Sequence, residues 1–240
     1  MLSRDNLEKF TKLQQTSVQN VVREYCQHLF LSYLYQNPGS EKMLFKGGTA
    51  MRVILKSPRF SEDLDFTGAG ITHKEIEGLF TDTLANIEKT GMTVHLEEAT
   101  KTTGGYLGIA IFEAYDMKTN VQIEVSLRRG KAFKKIRALI ASDYIPAYTL
   151  VHLPLEDIIQ GKLEALADRH KPRDFYDYFF LLSGDYPAAR TKENLKNVLK
   201  LLRRENTSFQ MELKKFLPAS QAMHLRDFKK ILEEKILVHL

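Results

Sequence analysis

Asp63 and Asp65 stand two residues apart in Glu62 to Phe66, an alternating stretch that predicts a β-strand. That spacing points both carboxylates to one side. Two like charges on one face repel unless a cation lies between them, and such an oxygen-only set suits Mg²⁺ or Mn²⁺. A lone D-x-D is more often a solvated strand face, but this one has company. Gly47-Gly48-Thr49 lies upstream at the start of a predicted helix. Glycines allow close backbone approach there, and the free N–H groups of a helix N-terminus bind anions. Thr49 is placed to N-cap that helix or to donate its hydroxyl to a phosphate. Glu124 offers a third carboxylate: in the run Val121 to Arg128 it faces away from Val121, Ile123, Val125 and Leu127. By itself it reads as a solvated glutamate. Were its strand to lie beside that of Asp63, three carboxylates would face a phosphate cradle in a two-metal arrangement for nucleotide chemistry.

The elements that must position these groups follow from periodicity. Apolar residues at helical spacing from Asp5 to about Gln36 predict one long helix or two shorter ones, ending at Asn37-Pro38-Gly39. Met43 to Phe45 predicts a buried strand and Thr49 to Lys56 a helix, with Ser57-Pro58 as its stop. After the Asp63 strand, ended by Gly68 and Gly70, His73 to Lys89 predicts an amphipathic helix. Strands are expected at Thr93 to Glu97, Tyr106 to Tyr115, Val121 to Arg128 and Tyr148 to Leu153, with Asp116 to Asn120 as a hairpin turn. From Pro154 onward the pattern is helical: Leu155 to Ala167, Pro172 to Leu182, Thr191 to Arg204, Ser208 to Phe216 and Ser220 to Val238. The expected organisation is a mixed α/β domain over residues 1–152 and a helical domain over 153–240.

Composition narrows the class. The 240 residues are 43% hydrophobic and 27% charged, as in an ordinary globular protein, and no apolar run reaches the length of a membrane span. One cysteine, Cys26, excludes an internal disulfide, and the N-terminus has no apolar signal segment, so a cytoplasmic protein is expected. The net charge of +5 is modest, but Arg128, Arg129, Lys131, Lys134, Lys135 and Arg137 cluster within ten residues without an acid. Such a cluster either attracts a polyanion or is a solvated face. The seven histidines show no metal-ligand spacing, no lysine follows the glycines as in a Walker A loop, and no G-x-G-x-x-G is present.

The runs KGGTAMRVILKSPRFSEDLDF, VQIEVS, EDIIQGKLEAL and PRDFYDYFFLL, in this order over Phe45 to Leu182, resemble the AbiEii/AbiGii toxin family of the nucleotidyltransferase superfamily. The resemblance implies a polymerase-beta-like mixed sheet with flanking helices and a helical C-terminal domain. It implies that Gly47, Gly48 and Thr49 hold the NTP phosphates, with Arg59 and Ser61 of the R-x-S beside them. Asp63, Asp65 and Glu124 would bind Mg²⁺ or Mn²⁺. Glu124 stands where the wider superfamily usually has aspartate and reaches one methylene further. Lys162 would contact the triphosphate or the acceptor, though it also fits a surface lysine on an amphipathic helix. Asp174 matches the first aspartate of R-D-x-x-D, with Arg173 and Asp177 flanking it. Asp174 and Asp177, three apart, share a helix side, where one could orient Lys162 or Arg169.

The activity so implied is transfer of a nucleoside monophosphate from NTP to an acceptor hydroxyl, with release of pyrophosphate. The enzyme would be the toxin of a toxin–antitoxin or abortive-infection pair, with its antitoxin encoded nearby. The basic cluster fits an RNA backbone, and a tRNA 3′ end is the expected acceptor. A protein or small-molecule hydroxyl, a phosphotransferase reaction, and a non-catalytic RNA- or protein-binding module on the same fold are the competing readings. A cationic drug would favour an acidic pocket, against the basic cluster. The intact set of three carboxylates argues against a decayed enzyme.

Overall fold

A computed structural model describes residues 2–127, 132–184, 186–222 and 224–240. Arg128, Arg129 and Lys131 of the basic cluster therefore lie outside the described residues. The chain divides into two compact units, Met1–Lys56 with Phe60–Pro154, and Ser57–Arg59 with Leu155–Leu240. The chain thus leaves the first unit for three residues between the glycine turn and the aspartate strand.

The first unit opens with helices α1 (Arg4–Leu13) and α2 (Val18–Leu34), begun by Ser3 and Ser17, whose hydroxyls accept from the N–H groups of Asn6 and Asn20. Strand β1 (Met43–Lys46) runs directly into α3 (Gly47–Leu55), and β2 (Asp63–Gly68) follows. Helix α4 (His73–Glu88) starts with a reciprocal Thr72–Glu75 capping box. Strands β3 (Thr93–Thr102), β4 (Gly105–Ala114), β5 (Met117–Leu127), β6 (Ile136–Ile140) and β7 (Tyr148–His152) complete a seven-stranded sheet, ordered β3-β4-β5-β2-β1-β7-β6. The sheet is mixed: β2 runs parallel to β5 and β1 to β7, and the other pairs are antiparallel.

One row of side chains from the central strands, Phe45, Leu64, Phe66, Ile123 and Val125, is fully or almost fully buried. Helices α2 and α4 pack against the sheet and each other, and Phe80 sets its ring edge-on to both Phe30 and Tyr106. Burial of this face fixes the register. A one-residue slip of β2 would bury Asp63 and Asp65 and expose Leu64 and Phe66. The core therefore dictates that both aspartates stand on the opposite face.

Three expectations change. The hairpin turn is Tyr115-Asp116, both at positive φ (56° and 60°), so β5 begins at Met117 rather than Val121. Two residues of this conformation match the twist of the paired strands. β6 was not expected, because the basic cluster that runs into it masked a short edge strand in which Ile140 is buried and Arg137 is exposed. The predicted helix from Ser220 to Val238 is broken into α9 (Ala219–Ala222), a tight turn at Leu225–Asp227 and α10 (Phe228–Val238). The break lets Leu225 and Phe228 both reach the core.

The second unit holds α5 (Leu155–Arg169), α6 (Pro172–Ser183), α7 (Lys192–Arg204), α8 (Phe209–Leu213), α9 and α10. Its core gathers Phe175, Tyr176, Phe209 and Phe228, with Tyr176 stacked on Phe228 and Phe175 edge-on to Phe209. Pro172 occupies the first turn of α6, where its missing N–H costs nothing.

Candidate active site

The strand register brings the first-unit residues together. Asp65 of β2 pairs with Lys46 of β1 on one side and Glu124 of β5 on the other, and Asp63 pairs with Gln122. Paired residues share a face, so Lys46, Asp65 and Glu124 form a row across three strands, with Asp63 one step along. Sequence reasoning did not single out Lys46. The signal was its place at the end of the β1 strand, immediately before the glycines, where only a pairing register could align it with Asp65.

The glycine turn closes on this row. Gly47 has φ +85°, a conformation that favours glycine, and a Cβ on it would lie 1.9 Å from Asp65 Oδ2. The first turn of α3 therefore lies directly against the aspartate strand. Geometry leaves the N–H groups of Gly47, Gly48 and Thr49 without acceptors inside the helix, and the helix dipole adds partial positive charge there.

Thr49 departs from expectation. Helix α3 begins two residues early, with Lys46 as its N-cap, so Thr49 is the third helical residue and not a cap. Its side chain is 1% exposed and its hydroxyl donates to the Asp63 backbone carbonyl at 2.5 Å. From α2, the buried Gln27 amide donates to the Ser61 carbonyl at 3.0 Å. Two buried side chains from two helices thus hold the backbone on either side of Glu62, which Arg23 meets at 3.3 Å. This places Thr49 as a clamp on the strand that carries Asp63. Thr49→Val should lower turnover about ten- to a hundredfold through misplacement of that carboxylate, with KM for the nucleotide little changed. Thr49→Ser should restore it. Steady-state kinetics of the two variants would decide, and a Val variant with raised KM and normal turnover would return Thr49 to the phosphate.

A second buried network anchors α3 itself. The Glu24 carboxylate of α2 accepts from Arg52 of α3 and from the Tyr144 hydroxyl, while Arg52 also lies over the Phe60 ring. Nearby, His28 pairs with Tyr148 at 2.8 Å, and burial lowers its pKa to about 4, so it is neutral at physiological pH.

The three carboxylates share a face, but among the described residues no three Asp, Glu, His or Cys side chains converge into a group that could hold a metal. Glu124 is exposed and accepts from the Gln122 amide at 2.6 Å. In kind the donor set fits a hard divalent cation: oxygen only, on one face, beside a glycine whose missing Cβ leaves room for Asp65.

The remaining expected residues lie in the second unit. Arg59 belongs to Ser57–Arg59, and its guanidinium grips Asp177 through Nε at 2.7 Å and a terminal nitrogen at 2.8 Å. Lys162 Nζ meets the same carboxylate at 2.9 Å. Asp174, the residue singled out in R-D-x-x-D, is instead held by Arg169 at 2.7 and 2.9 Å. The partner of Lys162 is thus Asp177 and that of Arg169 is Asp174, the two aspartates expected on one helix side where one could orient either cation. Burial alone would raise the Asp177 carboxyl, but Arg59 and Lys162 outweigh it and hold the pKa at about 2. The resemblance set Arg59 beside the phosphates; here its guanidinium is engaged in the bidentate pair with Asp177. Of the basic cluster, Lys134, Lys135 and Arg137 are exposed. No helix among the described residues is long and apolar enough to cross a membrane.

Comparison with known proteins bears on both units. A family model described as the nucleotidyl transferase AbiEii toxin of Type IV toxin–antitoxin systems matches residues 29–237. Among solved structures, a candidate nucleotidyltransferase from H. pylori superposes with a TM-score of 0.59 at 19% identity, covering 92% of this chain and 98% of its own. JHP933 from Helicobacter pylori gives a TM-score of 0.59 at 19% identity, covering 93% and 95%. At that identity the likeness is one of fold. No curated protein matches. With the glycine turn set against the aspartate strand and the family model spanning both units, the chain belongs to the AbiEii family of nucleotidyl transferase toxins.

Proposed function

We propose that this nucleotidyltransferase toxin moves a nucleoside monophosphate from NTP to the 3′-terminal hydroxyl of an RNA, with tRNA as the acceptor class, and releases pyrophosphate. The observation that carries the reading is the abutment of Gly47 on Asp65 in the row Lys46, Asp65, Glu124. It sets anion-binding N–H groups beside carboxylates, the pairing that a metal-bridged triphosphate needs.

In this reading the N–H groups of Gly47, Gly48 and Thr49 hold phosphate oxygens, and Lys46 offsets carboxylate charge along the row. Asp63, Asp65 and Glu124 would hold Mg²⁺ or Mn²⁺, which when bound neutralises phosphate charge and acidifies the acceptor hydroxyl. A carboxylate of the three then receives the hydroxyl proton as the acceptor oxygen attacks the α-phosphorus and pyrophosphate leaves. Thr49 and Gln27 fix the strand that carries Asp63. Lys162 is offered as a contact for triphosphate or acceptor, and Asp174, held by Arg169, as a support for its helix. The basic residues Lys134, Lys135 and Arg137 are offered to the RNA backbone. The family implies an antitoxin partner.

Incubation of total tRNA with Mg²⁺ and each labelled NTP in turn should label RNA with at least one nucleotide. Asp63→Ala should remove the label. An unlabelled RNA pool with every nucleotide, or label that survives the substitution, would refute the reading.

A further inference from the structure

Helix α7 carries a row of cations that the catalytic reading does not use. Lys192, Lys196, Lys200 and Arg204 recur at every fourth residue, and all four are exposed. Each step advances about 6 Å along the helix, so the row is about 18 Å long and curves slowly around the surface. Among the described residues none of the four pairs with a carboxylate. Neighbouring Arg203, by contrast, is paired with Glu233 at 2.8 Å, and Lys229 caps the carbonyls of Arg203 and Glu205. Like charges four apart on a helix repel. The acid in the first turn, Glu193, stands beside the row rather than in it.

The opposite face of α7 is spoken for: Leu195, Val198, Leu199 and Leu202 are buried in the core of the second unit. The helix cannot turn that face to a membrane. Its exposed face is all polar, adding only Glu193, Asn197 and Arg203 to the four cations. Protein interfaces centre on apolar and aromatic anchors and are depleted in lysine, and this face offers no anchor. Evenly spaced, unpaired cations with an amide among them match a chain of phosphates.

We propose that this face of α7 binds the backbone of the acceptor RNA, an inference that rests on the RNA-acceptor reading above. The face grips phosphates regardless of sequence and so contributes affinity without choosing the base.

The test compares wild type with a variant carrying Lys192→Glu, Lys196→Glu, Lys200→Glu and Arg204→Glu. A charge-matched control carries Lys214→Glu, Lys215→Glu, Arg226→Glu and Lys230→Glu, all four exposed elsewhere in the same unit. Binding of fluorescent tRNA is titrated at several salt concentrations, and labelling kinetics are measured in parallel. The slope of log affinity against log salt should shrink by about 3 in the α7 variant, from four lost phosphate contacts. KM for tRNA should rise at least tenfold, with kcat and KM for NTP unchanged, and the control should stay near wild type. An unchanged slope and affinity would overturn the proposal, as would an equal loss in the control. Competition by poly-glutamate as strong as by RNA, with the same dependence on the row, would overturn it in favour of an acidic protein partner. If wild type binds RNA through the row but labels none, the α7 proposal stands and the acceptor reading falls. If wild type labels tRNA and the α7 variant binds normally, the reverse holds.

Discussion

Asp65→Asn should cut nucleotidyl transfer about a hundred- to a thousandfold while leaving the fold close to wild type in stability. Asparagine keeps the shape that fits against Gly47, where a Cβ would stand 1.9 Å from the aspartate oxygen. What it removes is the charge at the centre of the row between Lys46 and Glu124. Loss of one group that stabilises charge in a transition state costs about a hundred- to a thousandfold in rate. The stability change should be small. Asp65 stands opposite Lys46 as well as Glu124, with Asp63 one step along, so neutralising it removes an attraction together with a repulsion. Thermal melts and labelled-NTP kinetics on one preparation test both halves. A melting temperature that falls by several degrees, or activity within a few-fold of wild type, would place Asp65 among structural residues.

The first unit shows which parts of this site can be read without coordinates. The alternation of Asp63, Leu64, Asp65 and Phe66 stated the strand and its polar face, because one face had to enter the core. The glycines stated the turn. Partnership was not legible. That Glu124 is the β5 residue opposite Asp65, or that Lys46 completes the row, depends on strand order, and nothing local to those segments encodes it. Thr49 misled for a related reason. A threonine after two glycines reads as a cap, yet the helix begins at Gly47 and the hydroxyl finds a carbonyl fourteen residues on. In β6, charge hid a strand: Lys134, Lys135 and Arg137 drew attention as a patch, while Ile136 and Ile140 supplied the alternation.

In the second unit, Asp177→Ala should have the largest effect on stability. Asp177 is 1% exposed, Arg59 4%, and Lys162 closes the group at 2.9 Å. Removing the anion leaves two buried cations facing each other, and breaking such a pair costs roughly 3–5 kcal/mol. Acid should act the same way. The Asp177 pKa is depressed to about 2 from an ordinary 3.8, so its contribution is whole above pH 3.8 and is lost as pH falls through 2. That contribution is on the order of 2 kcal/mol. Wild type should therefore lose stability across that window beyond what Asp177→Ala loses, which equilibrium unfolding at stepped pH would show. Parallel pH curves for the two proteins would refute the pairing as a source of stability. The same triad separates two roles for Lys162. Arg59, Lys162 and Asp177 sum to one positive charge, so Lys162→Met would leave the bidentate Arg59–Asp177 pair neutral and intact. If Lys162 serves substrate, that variant should melt near wild type and lose activity. If it serves only the fold, the melting temperature should fall along with the activity.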